Sequence, residues 1–451
     1  MLRKIASKIG MDKAILFTVM ARIFQGVGGI ISVLLVATCL TGVEQGFYYT
    51  FGSILAIQIF FELGLGTIIT QFVAHEKAHL YEKNNLLRGE EKYLSRLASL
   101  LRFCLKWYAI LAIAIFVIIT IVGLVFFSVY YKSDIEIGWR IPWILLVIGT
   151  VMNFVVAPVS SFLEGLGKVK DIAKIRFIQQ VVTQMVVWGG LLGGLKLYVM
   201  VLGPFLNVII FTYFVWKRYR KMLLTLFNQK ITKRVSYMKE IFPYQWKIAL
   251  SWISGYFIFQ LFNPVLFATE GAVVAGQMGM TLNILNAIMS LSDSWVSTKV
   301  PVFSGYIAKK EYGVLDRLFN TTLKQSVFIA CLCVLIFISG LFLLDTFHIE
   351  VNKKLLLQRF LPYFPVVVMS STIIMRQFQS GWALYLRCHK QEPLMWVSVI
   401  TSILCTISTL GLGKMYGVNG MTIGYAVIMF FSTIAIDVIY KHKKVVWHHD
   451  K

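Results

Sequence analysis

Twelve runs of apolar residues, each long enough to cross a bilayer as a helix, are joined by short basic links. They fall at about 14–40, 46–74, 103–131, 141–165, 171–194, 196–216, 243–268, 272–301, 324–344, 360–386, 393–413 and 417–440. A helix needs about 20 apolar residues to cover the hydrocarbon core, and it satisfies its own backbone groups there, which an irregular segment cannot do. Composition points the same way: 58% of residues are hydrophobic and 14% are charged, where soluble domains carry about 25% charged residues. The sequence predicts an all-α polytopic membrane protein with about twelve transmembrane helices. An ordinary soluble enzyme is excluded, and the uniformly short outward loops leave no place for a catalytic domain.

A net charge of +23 would suggest nucleic acid in a soluble chain. Here the Lys and Arg residues lie between apolar runs, so they report topology and contact with anionic membrane lipids, and no nucleic-acid partner is expected. With a cytoplasmic N-terminus most of the 44 Lys and Arg residues fall on that side, and an even helix count returns the C-terminus to it. The basic start followed by an apolar run imitates a signal peptide, but the run is too long and has no small-residue cleavage site, so it is expected to stay as the first helix. The longest basic link, 217–242, separates six helices in 1–216 from six in 243–451. Short echoes connect the halves: YLSRLASLL (93–101) with VLDRLFNTTL (314–323), and GLKLYVMVLG (194–203) with GKMYGVNGMT (413–422). Such a repeat predicts two six-helix bundles around a central cavity. The six cysteines follow no disulfide spacing and are expected to be reduced and non-catalytic.

Polar residues inside the apolar runs carry the functional signal. In the second run, Gln58, Glu62, Gly66 and Thr70 recur every four residues and are expected to share one helix face. An ionised group at mid-bilayer costs at least about 2.5 to 3.5 kcal/mol, so Glu62 should face a protein interior or a water-filled cavity. The first run repeats the pattern with Thr18, Arg22, Gln25, Gly29 and Ser32, and the fourth with Asn153, Ser161 and Glu164. The eighth run carries Asn283, Asn286, Ser290, Asp293 and Ser297, and the tenth carries Thr372, Arg376 and Ser380. Arg22 and Glu62 either neutralise one another or divide the work, Arg22 holding an anionic group while Glu62 exchanges a proton or cation. Arg376 has no carboxylate on its own helix, and a guanidinium fork suits phosphate oxygens. Asp293 could load a proton or sodium ion, cap a helix end, or pair with Lys299. Glu164 is expected at the cytoplasmic surface.

Two other patterns have blander readings. His75, Glu76 and His79 match H-E-x-x-H, the spacing of a helical zinc site, but they lie where a helix enters a charged loop and lack a third ligand, so no metal is expected. Lys92–Arg102 reads as an amphipathic helix, either separate or continuous with the third membrane helix. No Walker loop or dinucleotide fingerprint is present, so no cofactor is expected, and energy, if used, would come from an ion gradient, with a proton or sodium ion as the candidate coupling ion, or from a substrate gradient.

The segments ARIFQGVGGIISVLLVATCL (21–40) and TGVEQGFYYTFGSILAIQIFFELGLGTIITQFVAHE (41–76), with the GLGKVKDIAKIR turn (165–176), resemble polysaccharide flippases of the Wzx type. Their superfamily also holds multidrug and toxic-compound extrusion transporters and lipid II flippases. The resemblance implies a transporter, not an enzyme, that moves a polyprenyl-pyrophosphate-linked oligosaccharide, such as an O-antigen or capsule repeat unit, across the bacterial inner membrane by alternating access. It implies Arg22 and Arg376 at the pyrophosphate and Gln58, Asn283, Asn286 and Ser290 at the saccharide. Ion coupling, implied more loosely, would fall to Glu62 and Asp293. Glycan polymerase and glycosyltransferases are the expected protein partners. The alternatives are an ion-coupled multidrug exporter of the same superfamily and a membrane enzyme of glycan assembly.

Overall fold

A computed structural model describes Phe24 and residues 28–83, 86–131, 137–351, 354–389, 391 and 393–449. The chain is all-α and polytopic, and each predicted run is mainly helical where it is described. The first run is helical over Gly28–Cys39 (α1). Then come α2 (Gly42–Glu62) and α3 (Leu65–Lys77), α4 (Glu91–Tyr130), α5 (Arg140–Gly165), α6 (Val169–Leu192) and α7 (Val199–Asn228). The second half holds α8 (Phe242–Phe259), α9 (Phe262–Thr269), α10 (Ala272–Ser297), α11 (Val300–Ala308), α12 (Tyr312–Thr346), α13 (Tyr363–Cys388) and α14 (Met395–His449). Large apolar side chains remain uncovered along these helices, such as Ile113 at 68% exposure on α4 and Ile407 at 65% on α14. In water such surfaces would be untenable, whereas in lipid they are the solvent-facing side.

Four runs depart from straight spans. The second breaks between α2 and α3 with a 41° bend, because Leu63 (φ 49°) and Gly64 (φ 68°) both adopt the left-handed conformation. Gly64 takes that conformation freely, while Leu63 stores strain of about 1–3 kcal/mol. The seventh is divided at Gln260–Leu261 into α8 and α9. The eleventh and twelfth run into one another as α14, broken at Gly417, where Glu270 accepts a hydrogen bond from the Val418 amide and caps the second arm. Lys92–Arg102 is continuous with the third span: α4 has 40 residues, about 60 Å of helix, so its first turns project beyond the membrane. The link before it also holds an antiparallel hairpin, β1 (Leu80–Lys83) with β2 (Leu86–Gly89), in the register Leu80↔Gly89 to Lys83↔Leu86.

The described residues form two compact units. One contains Phe24, 54–129 and 137–253, and the other 28–53, 130–131 and 254–449. In the first unit, the basic link is a strap laid on α4. Ser95 is fully buried; its hydroxyl accepts from the amides of Thr232 and Lys233 and donates to the Lys233 carbonyl at 2.8–3.0 Å. Arg102 donates to the carbonyls of Phe227 and Gln229, both at 2.7 Å. Arg96 joins Glu76 at the end of α3 (2.9 Å) to Glu240 (2.5 Å) in a single turn of π-helix, Tyr237–Ile241. An amphipathic helix start thus becomes the anchor for a chain segment that composition alone marks as a linker.

In the second unit, the first half of α2 packs against α10 at backbone distance. Thr41 and Glu44 cap α2 reciprocally, the Thr41 amide donating to the Glu44 carboxylate (2.8 Å) and the Glu44 amide to the Thr41 hydroxyl (3.2 Å), the T-x-x-E form of a capping box. Gln45, 1% exposed, donates through Nε2 to the carbonyls of Gly276 (2.8 Å) and Arg359 (3.0 Å). A methyl group on Gly46 would stand 1.9 Å from the Ala272 carbonyl oxygen, so only glycine permits this approach. At the basic end of the unit, Asp316 of α12 accepts from Tyr385 of α13 (2.8 Å) and pairs with Lys444 of α14 (3.0 Å).

Two outcomes follow from these contacts. Gly46→Ala is expected to destabilise the protein by about 1–3 kcal/mol through overpacking, while Gly52→Ala, whose methyl would meet no atom within 4 Å, leaves stability unchanged or raised; thermal unfolding of detergent-solubilised protein measures both. Burial opposes ionisation of Glu240, but hydrogen bonds from Arg96 and the Ser236 amide, with the Arg96 charge, outweigh it and hold the carboxyl below its usual value of 4.5. A carboxyl depressed in the folded state contributes stability that is present above the unfolded value and lost as pH falls through the folded one. The strap is therefore at full strength at neutral pH, and Glu240→Gln should speed hydrogen exchange of amides 230–241 about twofold to fivefold. No change would mean that Ser95 and Arg102 hold the strap without it.

Candidate functional site

Each unit carries its own intramembrane polar cluster. In the first, Glu62 ends α2 at the break, so its carboxyl lies over the opening turn of α3. Its Oε1 is 3.3 Å from where a Cβ on Gly66 would stand, and the Ser161 hydroxyl of α5 is 3.0 Å from the same point. Unpaired amides at a helix start favour negative charge, so the break that interrupts the span also gives a membrane carboxyl a compatible neighbour. Thr70 donates both to the Gly66 carbonyl of its own helix and to the Ser161 carbonyl, each at 3.1 Å. Tyr108 of α4 lies within electrostatic reach of Glu62, and its hydroxyl is buried with no hydrogen-bond partner among the described residues. Gln58 sits one turn before Glu62 in a tightened 3₁₀ segment, Ala56–Gln58. The expected single face of Gln58, Glu62, Gly66 and Thr70 is thus bent at its middle, yet Gly66 and Thr70 both meet Ser161 of α5.

The second cluster runs along α10, α12 and α13. Asn286 and Ser290 are exposed on α10, and Asn283 and Asp293 are half-buried on the same helix. Arg376 of α13 donates to the Asn286 side-chain oxygen at 3.4 Å and lies over the Phe259 ring, 4.3 Å from its centroid. Among the described residues, no carboxylate forms an ion pair with Arg376. Beside it, Gln377 is fully buried; its amide donates to Asp293 at 3.2 Å and to the Ser326 hydroxyl, which in turn donates to the Ser292 carbonyl at 2.6 Å. Asp293 is thus tied to the buried network of the unit while facing the same helix stripe as Asn286. Thr372 lies away from that stripe, fully buried and bonded back to the Met369 carbonyl.

Of the residues singled out in the sequence, Arg376 meets Asn286, and Asp293 meets Gln377. Glu62 and Gln58 belong to the first unit, and Asn283, Asn286, Ser290, Asp293 and Arg376 to the second. Arg22 lies outside the described residues, as do Thr18 and Gln25. Glu164 pairs with Arg176 at 2.7 Å. Gln377, Ser326 and Tyr108 were not anticipated, although a glutamine inside a membrane helix already demands a partner. At the H-E-x-x-H segment, Glu76 is taken by Arg96 and His79 stacks on Tyr93 at 4.1 Å. No group of three potential metal ligands occurs among the described residues.

No family model matches the chain, and no curated protein matches it significantly. Solved structures do. The chain is similar to an inward-facing multidrug resistance MATE family transporter of the MOP superfamily, with a TM-score of 0.69 at 12% identity over 98% of this chain and 100% of that one. It is similar to the lipid II flippase MurJ in an inward closed conformation, TM-score 0.60 at 13% identity over 95% and 87% of the two chains. It is also similar to the MATE multidrug transporter DinF-BH, TM-score 0.61 at 12% identity over 96% of each. These likenesses show the fold: the chain has the fold of MOP-superfamily transporters.

Gln377→Leu should cost about 1–3 kcal/mol by stripping Asp293 and Ser326 of a buried donor, seen as a lower unfolding temperature. Gln379→Leu, which loses bonds to Thr433 and the Met429 carbonyl, provides the comparison outside the Asp293 network.

Proposed function

We propose that the protein is a flippase that carries a lipid-linked oligosaccharide, of the polyprenyl-pyrophosphate type, from the cytoplasmic to the outer leaflet of a bacterial inner membrane. The observation that carries this reading is Arg376. Its guanidinium is held by an aromatic face and an amide, on a surface shared with Asn286 and Ser290, and no described carboxylate neutralises it. A fixed, uncompensated fork of donors suits pyrophosphate, and the neighbouring amide and hydroxyl groups suit sugar hydroxyls. The similarity to a lipid II flippase supports a lipid-linked substrate.

In this reading Arg376 and Arg22 hold the pyrophosphate, and Gln58, Asn283, Asn286 and Ser290 meet the saccharide. Glu62 and Asp293 take up a coupling proton or sodium ion, each in a setting where protonation or a cation removes the cost of a membrane charge. Both termini are cytoplasmic, 1–216 and 243–451 form the two halves, and the protein acts alongside glycan polymerase and glycosyltransferases as a transporter, not an enzyme. A second reading, ion-coupled export of multiple drugs, is favoured by the likeness to multidrug transporters. The cation at Arg376 weighs against it for positively charged drugs.

The test is the sidedness of lipid-linked saccharide in cells, probed by a reagent confined to the outer leaflet. Arg376→Ala should leave the protein in the membrane but lower outer-leaflet saccharide about tenfold to a hundredfold, the scale of one hydrogen-bonded charge, and Arg376→Lys should fall between. Unchanged sidedness together with lost efflux of lipophilic cations would transfer the assignment to multidrug export.

A further inference from the structure

Helices α6 and α7 lie side by side in the first unit, joined through the 3₁₀ turn Lys196–Tyr198. At their basic end they enclose a groove of about 440 Å³. Its walls are Ile175, Ile178 and Phe214, and its rim carries Lys174, Lys217 and Arg218, with Asp171 as the one carboxylate among its described lining residues. Asp171 is already committed: it pairs with Arg218 at 3.2 Å and accepts a hydrogen bond from the buried Tyr219 hydroxyl. Neighbouring cations are committed too, Arg176 to Glu164 at 2.7 Å and Lys168 to Glu82 at 2.6 Å. Lys174 and Lys217 differ. Both are exposed, and neither forms an ion pair with any described carboxylate; Lys217 lies over the Tyr213 ring, 5.7 Å from its centroid.

The surroundings fix the depth of the groove. Tyr213 and Trp216 are 57% and 54% exposed on α7, and Arg220 stacks over Trp216 at 4.6 Å. Exposed aromatic rings of this kind mark the level of lipid headgroups. Further along the same two helices the exposed side chains are apolar, Met185 on α6 at 56% exposure and Ile209 on α7 at 61%. The cavity therefore spans the boundary at which a phospholipid changes from acyl chain to phosphate.

We infer that this groove is a binding site for an anionic glycerophospholipid. Lys174 and Lys217 hold the headgroup phosphate as point charges, and the chain nearest it lies against Ile175, Ile178 and Phe214. The apolar walls and the exposed rings of Tyr213 and Trp216 assign the phosphate to a lipid in place of a soluble ion, and the uncommitted charge assigns an anionic headgroup in place of a zwitterionic one. The site belongs to the first unit and Arg376 to the second, and lipid binding there does not depend on what the protein transports.

Native mass spectrometry of the full chain in detergent, titrated separately with phosphatidylglycerol and phosphatidylcholine, tests it. The wild type should prefer phosphatidylglycerol by about tenfold or more, and Lys174→Gln with Lys217→Gln should reduce that preference to about twofold. Lys174→Arg with Lys217→Arg should retain it, and so should Lys309→Gln with Arg317→Gln, an equal loss of exposed charge in the second unit. Equal binding of the two lipids by the wild type would overturn the inference. So would an equal loss in the second-unit control, which would reveal a diffuse charge effect, and so would displacement of the lipid by millimolar inorganic phosphate, which would reveal a site for soluble anions.

Discussion

A polar group in the hydrocarbon layer must find its partner within the protein, because lipid supplies none. This constraint explains most of what is unusual in the structure. Gln377 is fully buried and reaches Asp293 and Ser326 at once. Asn153 bridges two helices by donating to the carbonyls of Gly149 and Pro204 at 3.0 and 2.7 Å, and Gln179 does the same to the Asn207 carbonyl at 2.7 Å. Each of these residues has its amide donor bonded, and together they fix helix register in a way that lipid-tolerant Leu and Ile surfaces cannot. Asn286 and Ser290 remain exposed on α10 and are free to serve something other than the fold.

The Glu62 region applies the same constraint to a backbone. A continuous helix would leave a carboxyl among apolar neighbours, whereas the left-handed pair Leu63–Gly64 ends one helix and begins another beside it. The strain at Leu63 is local, and the amides of the new helix start are placed where an anion is tolerated. Hydroxyl and carbonyl groups of Ser161 complete the neighbourhood from α5.

Much of this fold was legible in the sequence, and the reason is physical. Apolar runs of span length have one way to satisfy their backbones in lipid, so the helical character of the runs follows from hydropathy, including the stretch in which Lys92–Arg102 simply lengthens α4. What could not be read was any feature set by contact between distant segments. Nothing local marks Ser95 as the anchor of 232–233, or Gly46 as the seat of the Ala272 carbonyl. The break at 63–64 was hidden because Leu63 is a poor candidate for a left-handed residue. For the candidate site, helix periodicity puts Asn286, Ser290 and Asp293 on one stripe, of which Asn286 and Ser290 are exposed and Asp293 half-buried, and it cannot tell that packing buries Thr372, one turn before Arg376. Gln377 was overlooked beside a more conspicuous arginine.

The α2–α10 contact at Gly46 has a mechanical consequence. Side chains at an interface accommodate small displacements by changing rotamer, so most helix contacts yield gradually. Here the abutting atoms are main-chain atoms of Gly46, Ala272 and Gly276, which have no rotamers, and the Gln45 amide spans both the Gly276 and Arg359 carbonyls. A seam of that construction has no partly slipped form: it is either seated or parted. Any rearrangement passing through it would therefore be stepwise, like a detent.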